Sequence, residues 1–161
     1  MSLVLVALLV GVTSVTSSSV LGQTSEETSL AAQSARGVME TLRGAEFATV
    51  VASYNDVGND DPGGTNTAPG PDFAAPSLGA QSGDPDGLAG EVLLPLDAAG
   101  RLLENQNRPE FGLPMDLNSD GVIDGADHSL DYTILPVIVR IDWAGRTGDR
   151  SIQLSTILGD N

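Results

Sequence analysis

Ser2-Leu3-Val4-Leu5-Val6-Ala7-Leu8-Leu9-Val10 lies within an opening stretch, Met1 to Ser25, that contains no charged side chain. No basic stretch precedes it, which separates it from an ordinary signal peptide, whose apolar core follows Lys or Arg. About 20 uncharged residues suffice to span a bilayer, although Thr13 to Ser19 is already diluted with hydroxyls. The pattern then runs on past Ser25 without a turn signal. Leu30, Ala31, Ala35, Val38, Met39, Leu42 and Ala45 recur at steps of three and four, while Glu26, Glu27, Arg36, Glu40, Arg43 and Glu46 fall mostly between them. That spacing predicts an amphipathic helix with one face for a partner or a domain. Glu40 and Arg43 offer one favourable i,i+3 pair, so the helix must rest on packing. No proline occurs before Pro62. A helix over about 1–54 would be roughly 80 Å long. Gly11, Gly22, Gly37 and Gly44 are the places where it can bend, each costing about 1 kcal/mol against Ala.

The composition changes at Asn55. From there to Gly90 the chain is rich in Gly, Pro and Asp and poor in residues that fill a core, so it is expected to form a long irregular surface loop. Strand signals follow. Glu91 to Leu96 reads as a short strand that Pro95 pushes toward an edge, and Asp97 to Gly100 turns it into Arg101-Leu102-Leu103. In Ile134 to Trp143, Leu135, Val137, Val139, Ile141 and Trp143 alternate with Pro136, Ile138, Arg140 and Asp142, as expected when one face covers a core. Ala144 to Asp149 leads into Arg150 to Leu158, which has Ile152, Leu154 and Leu158 on one face. These two strands form a C-terminal hairpin, with Trp143, the only tryptophan, as a core anchor. The expected fold is α+β, in four parts. They are an apolar helix segment at 1–25, its amphipathic continuation at 26–54, a loop at 55–90, and a small antiparallel β-rich head at 91–161.

Asp116-Leu117-Asn118-Ser119-Asp120-Gly121-Val122-Ile123-Asp124-Gly125-Ala126-Asp127 is the sharpest chemical motif. It puts oxygen side chains at positions 1, 3, 5, 9 and 12 of a twelve-residue loop, glycine at 6 and an apolar residue at 8, matching an EF-hand type of calcium loop. A hard cation needs six to eight converging oxygens, so the chain must coil tightly and Gly121 permits the turn. The expected ligands of Ca2+ are Asp116, Asn118, Asp120, the Val122 carbonyl, Asp124 and Asp127, with Ile123 pointing back into the head. Asp127 replaces the usual glutamate at position 12, and with Gly121 and Asp124 it makes the loop resemble those of dockerin modules.

The N-terminal run from Met1, the amphipathic helix after it and the β-rich remainder resemble a type IV pilin or type II secretion pseudopilin after leader cleavage. The resemblance is specific over about the first 22 residues and architectural beyond them. Met1 stands where the family usually has an N-methylated phenylalanine. Leu5 occupies the position of a glutamate thought to neutralise a neighbour's terminal amine, and the C-terminal cysteine pair of many pilins is absent. What the resemblance implies is a structural subunit held in the inner membrane before assembly. It would then sit in an extracellular or cell-envelope filament, packed through Leu3, Val6, Leu9 and Val10 against copies of itself or other pilins. The alternative is a secreted or membrane-tethered calcium-binding module that uses Met1 to Gly22 as an anchor or atypical signal.

Charge and catalytic inventory agree with a structural role. The 22 acids against seven arginines give a formal charge of −15, a surface that repels nucleic acid and anionic lipid. With no cysteine there is neither a disulfide nor thiol chemistry. His128, the sole histidine, is expected to cap or decorate the surface, and zinc ligation is not expected without a second histidine or a cysteine. No nucleophile motif or Walker spacing appears. Glu91, Glu104 and Glu110 are the remaining candidates for an acid pair, but no catalytic residue is assigned and an enzyme is not expected.

Overall fold

The computed structural model describes residues 22–160. The helix that enters them, α1, is Ser2–Gly44, of which about 23 residues are described. The apolar segment expected at 1–25 lies outside the described residues except for Gly22 to Ser25. Among the described residues no helix is long and apolar enough to cross a membrane. After α1 come a short α2 (Val50–Ser53) and four strands: β1 (Asp72–Phe73), β2 (Gly90–Leu93), β3 (Ile134–Gly145) and β4 (Gly148–Gly159). All pair antiparallel in the order β1-β2-β3-β4, so the molecule is α+β.

The helix stops ten residues short of the expected boundary. Gly44 is its last residue, the Ala45 N–H donates back to the Leu42 carbonyl, and Glu46 is extended. The weak helix propensity of glycine permits the break, and contacts beyond it hold the chain there. The Phe47 ring lies 4.8 Å from that of Tyr132, whose hydroxyl donates to the Phe47 carbonyl. The predicted apolar stripe does meet the sheet, with Ala31, Ala35, Met39 and Leu42 buried. Arg43 pairs with Glu40 and also reaches the Thr156 hydroxyl. Thr156 lies opposite Val137 in the ladder, and cross-strand partners share a face. The helix therefore covers the face of Leu135, Val137, Val139, Ile141 and Trp143.

The hairpin runs through twelve register pairs, from Ile134 opposite Gly159 to Gly145 opposite Gly148. Its turn is tighter than expected, reduced to Arg146-Thr147 and followed by Gly148 at φ +121°, a backbone conformation that glycine supplies without strain. The opposite face of β3, expected to look outward, is buried at Pro136 and Ile138. Phe111, on a 3₁₀ turn at Pro109–Phe111, lies with both of them along one groove. Alternation at 134–143 thus correctly marks a strand while understating its burial, because the covering turn lies some 25 residues upstream.

The Gly/Pro-rich segment expected to be a loop contributes β1, with Ala75 and Ala89 buried. The Phe73 ring lies over Gly90 so closely that a Cβ there would clash with it. β2 sits between β1 and β3 rather than at an edge, ends at Leu93 before Pro95, and pairs Glu91 with Arg140 across the ladder. Asp97 to Gly100 forms the expected turn, closed by the Gly100 N–H on the Asp97 carbonyl. Its far arm makes a single bridge between Leu96 and Leu102 instead of a strand.

Candidate metal centre

Residues 102–105 run beside the 116–128 loop and tie down its later end. The His128 N–H donates to the Leu102 carbonyl and the Asn105 N–H to the Asp124 carbonyl, while the Leu102 N–H donates to Asp127 Oδ1 at 3.1 Å. Leu117, fully buried, accepts from the N–H groups of Thr133 and Ile134 where β3 begins. The loop is therefore anchored to the hairpin at one end and to residue 102 at the other.

Within the loop, most acidic side chains turn onto its own backbone. Asp116 accepts from the N–H groups of Ser119 (2.6 Å) and Gly121 (2.9 Å), Asn118 from Asp120 (3.1 Å), and Asp120 from Val122 (2.7 Å). Gly121 has φ +85° and Ser119 φ +64°, the left-handed conformations a tight coil demands. Ile123, expected to point into the head, is half exposed, and Val122 is exposed as well; Leu117 anchors the loop instead. Among the described residues no three of the acids at 116, 120, 124 and 127 bring their oxygens together.

One of them joins a different group. Glu104, Asp124 and His128 each offer an atom within 4.8 Å of the others. His128 Nε2 lies 3.2 Å from Asp124 Oδ1 and 3.8 Å from Glu104 Oε2. Glu104 is wholly buried and His128 is 5 % exposed, so the expectation of a surface histidine is corrected. The Glu104 carboxylate has no arginine partner among the ion pairs of the described residues. Oε1 accepts from the N–H groups of Leu117 and Asn118, and Oε2 from that of Asp124. Glu91 and Glu110 are engaged elsewhere, with Arg140 and Arg108, so the three glutamates form no acid pair. His128 Nδ1 faces Asp131 Oδ1 at 3.0 Å. Burial pulls the imidazole pKa down, but hydrogen bonds to Asp124 and Asp131 and the charge of Glu104 outweigh it and leave it above the ordinary value. Asp124 is held below the usual carboxylate range, first by the Ala126 N–H and then by His128. This group, with Glu104 and His128 buried and Asp124 exposed, can hold a metal ion.

A second acidic place is an open cleft of about 570 Å³ between the 81–88 turn and the sheet, lined by Asp72, Asp84, Asp86, Glu91 and Asp142 with Arg140 among them. Burial and the neighbouring charge of Asp86 push the Asp72 carboxyl up to about 6. Asp86, hydrogen-bonded by the Leu88 N–H, stays below its ordinary value, so Asp72 is the first of the pair to take up a proton as pH falls.

No family model matches the chain, and neither a curated protein nor a solved structure does.

Proposed function

We propose that this protein is a structural subunit of a type IV pilus-like filament at the cell envelope or outside the cell, assembled through its N-terminal helix and carrying a calcium-stabilised head. The observation that carries the reading is the distribution of burial along α1. Buried positions begin at Ala31 and end at Leu42, while none occurs between Gly22 and Leu30. Upstream of that stretch the sequence is uncharged to its start, and such a surface needs cover from lipid or from neighbouring helices. A helix whose far end is embedded in a sheet, with an apolar run before it, serves both states: the inner membrane before assembly and a bundle of copies or other pilins afterwards. The calcium assignment rests on the 116–127 loop, whose spacing and positive-φ Gly121 suit a hard cation.

Sedimentation tests this. The chain lacking Met1 to Ser25 keeps the whole buried stripe of α1 and is expected to be a soluble monomer, whereas the full chain associates or requires detergent. A full chain that stays monomeric in plain buffer removes the filament reading.

A further inference from the structure

We propose that Glu104 Oε2, Asp124 Oδ1 and His128 Nε2 form a binding site for a divalent transition-metal ion of the zinc class, distinct in chemistry from the calcium loop that shares Asp124. The spacing suits such an ion. Nitrogen and oxygen ligands at about 2.1 Å from a tetrahedral ion stand roughly 3.4 Å from one another, and the separations from His128 Nε2 are 3.2 Å and 3.8 Å. Little movement is needed to close the group on an ion. The donor set selects against calcium, which takes six to eight oxygens, whereas imidazole suits zinc and its neighbours.

The support around the three atoms matches that of a metal-ligating histidine. Asp131 Oδ1, 3.0 Å from His128 Nδ1, fixes the ring and leaves Nε2 as the ligand atom, the carboxylate–histidine–metal arrangement that raises ligand basicity. Glu104 is immobilised by three backbone N–H groups from the loop it faces. Three carboxylates surround one imidazole, so even a protonated ring leaves an excess of negative charge beside a buried histidine, which a dication offsets. Glu104 and His128 are inside, while the Asp124 side chain is half exposed. The ion thus enters from the Asp124 side, where a water completes a four-coordinate shell.

The experiment uses the full chain in detergent, stripped with chelator and titrated with Zn2+ by calorimetry. One zinc per chain is expected. His128→Gln lowers zinc affinity at least tenfold, and Asp131→Asn lowers it by about 10- to 100-fold through the ring orientation alone. Asp120→Ala, which alters the calcium loop outside the trio, leaves zinc affinity unchanged. Because His128 is the only histidine, pulsed EPR of the unmutated chain loaded with Cu2+ reports its coordination without any variant, through the remote nitrogen of a bound imidazole. Absent zinc binding, equal affinity in the unmutated and His128→Gln chains, or a Cu2+ spectrum without imidazole coupling overturns the site. So does a loss on Asp120→Ala as large as that on His128→Gln, which places the ion in the loop.

Discussion

The β3–β4 hairpin and the 116–131 loop adjoin one another at Thr133, yet opposite forces hold them. The hairpin pairs twelve residues with twelve and buries Leu135, Val137, Val139, Ile141 and Trp143 in the core, so area removed from water holds it. The loop buries one large apolar side chain, Leu117, and is shaped by carboxylates accepting backbone N–H groups. A hydrophobic element is indifferent to cations, whereas a loop built from anions depends on what neutralises them. The head therefore joins a part shaped by packing to a part shaped by carboxylates on backbone N–H groups.

Trp143→Ala should break the hairpin hardest. It empties a site 2 % exposed and is expected to cost about 3–5 kcal/mol, by the same amount in calcium and in chelator when read by urea unfolding. A loss that differs between the two buffers by more than about 1 kcal/mol would mean that the hairpin senses the ion. Glu104→Ala attacks the other side. It leaves the N–H groups of Leu117, Asn118 and Asp124 without their acceptor, at about 1–3 kcal/mol for a buried one, and roughly 3 kcal/mol in all is expected. Hydrogen exchange should quicken at those three amides and not along β3; a uniform change would erase the distinction between the regions.

Calcium provides the next test. An ion bound only by the folded head stabilises it by about 2.7 kcal/mol at a hundredfold excess over its dissociation constant. Asp120→Ala should abolish most of that gain while barely changing the metal-free protein, as read from thermal midpoints with calcium and with chelator. Equal midpoints for the unmutated chain in the two buffers would reduce 116–127 to an acidic turn. The smallest effect belongs to Asp72. The folded state holds its proton up to about 6 instead of the ordinary 3.8, so between those values it binds more protons than the unfolded chain, and stability falls as pH rises through that window. Asp72→Asn should match the unmutated protein below pH 4 and exceed it above pH 6. Because the group is largely exposed and screened, the margin is expected to be about 0.5 kcal/mol or less. An advantage that appears only at low pH would reverse the sign and refute the assignment.

The same division explains what could be read from the sequence. Periodicity reports burial, so the helix stripe from Ala31 to Leu42 and the alternation in Ile134 to Trp143 were legible before any coordinates. The helix end escapes local periodicity because Phe47 and Tyr132, 85 residues apart, hold the break at Glu46. A candidate ligand set leaves a local trace only when its members are contiguous, as the oxygen-bearing residues of 116–127 are. Glu104 reaches the loop from a turn 20 residues upstream of Asp124, in a stretch with no spacing to mark it. His128 reads as a surface residue because it sits in an acidic stretch, two of whose members, Asp124 and Asp131, face its ring. Arg101 and Arg108 stand three and four residues from Glu104 but pair with Asp97 and Glu110, so nothing local marks its carboxylate as lacking a basic partner.

Arg43 and Thr156, which meet where α1 crosses β4, stand 113 residues apart. Synthesis makes that separation a delay. At 5–20 residues per second, roughly 6 to 23 seconds pass between the emergence of the helix stripe and that of the strand which covers it. For most of that interval Ala31, Ala35, Met39 and Leu42 face whatever is closest, because β3 and β4 have yet to be made. A nascent chain of this design needs a caretaker surface early and a release from it late, so the order of translation is itself a constraint on where the head can fold.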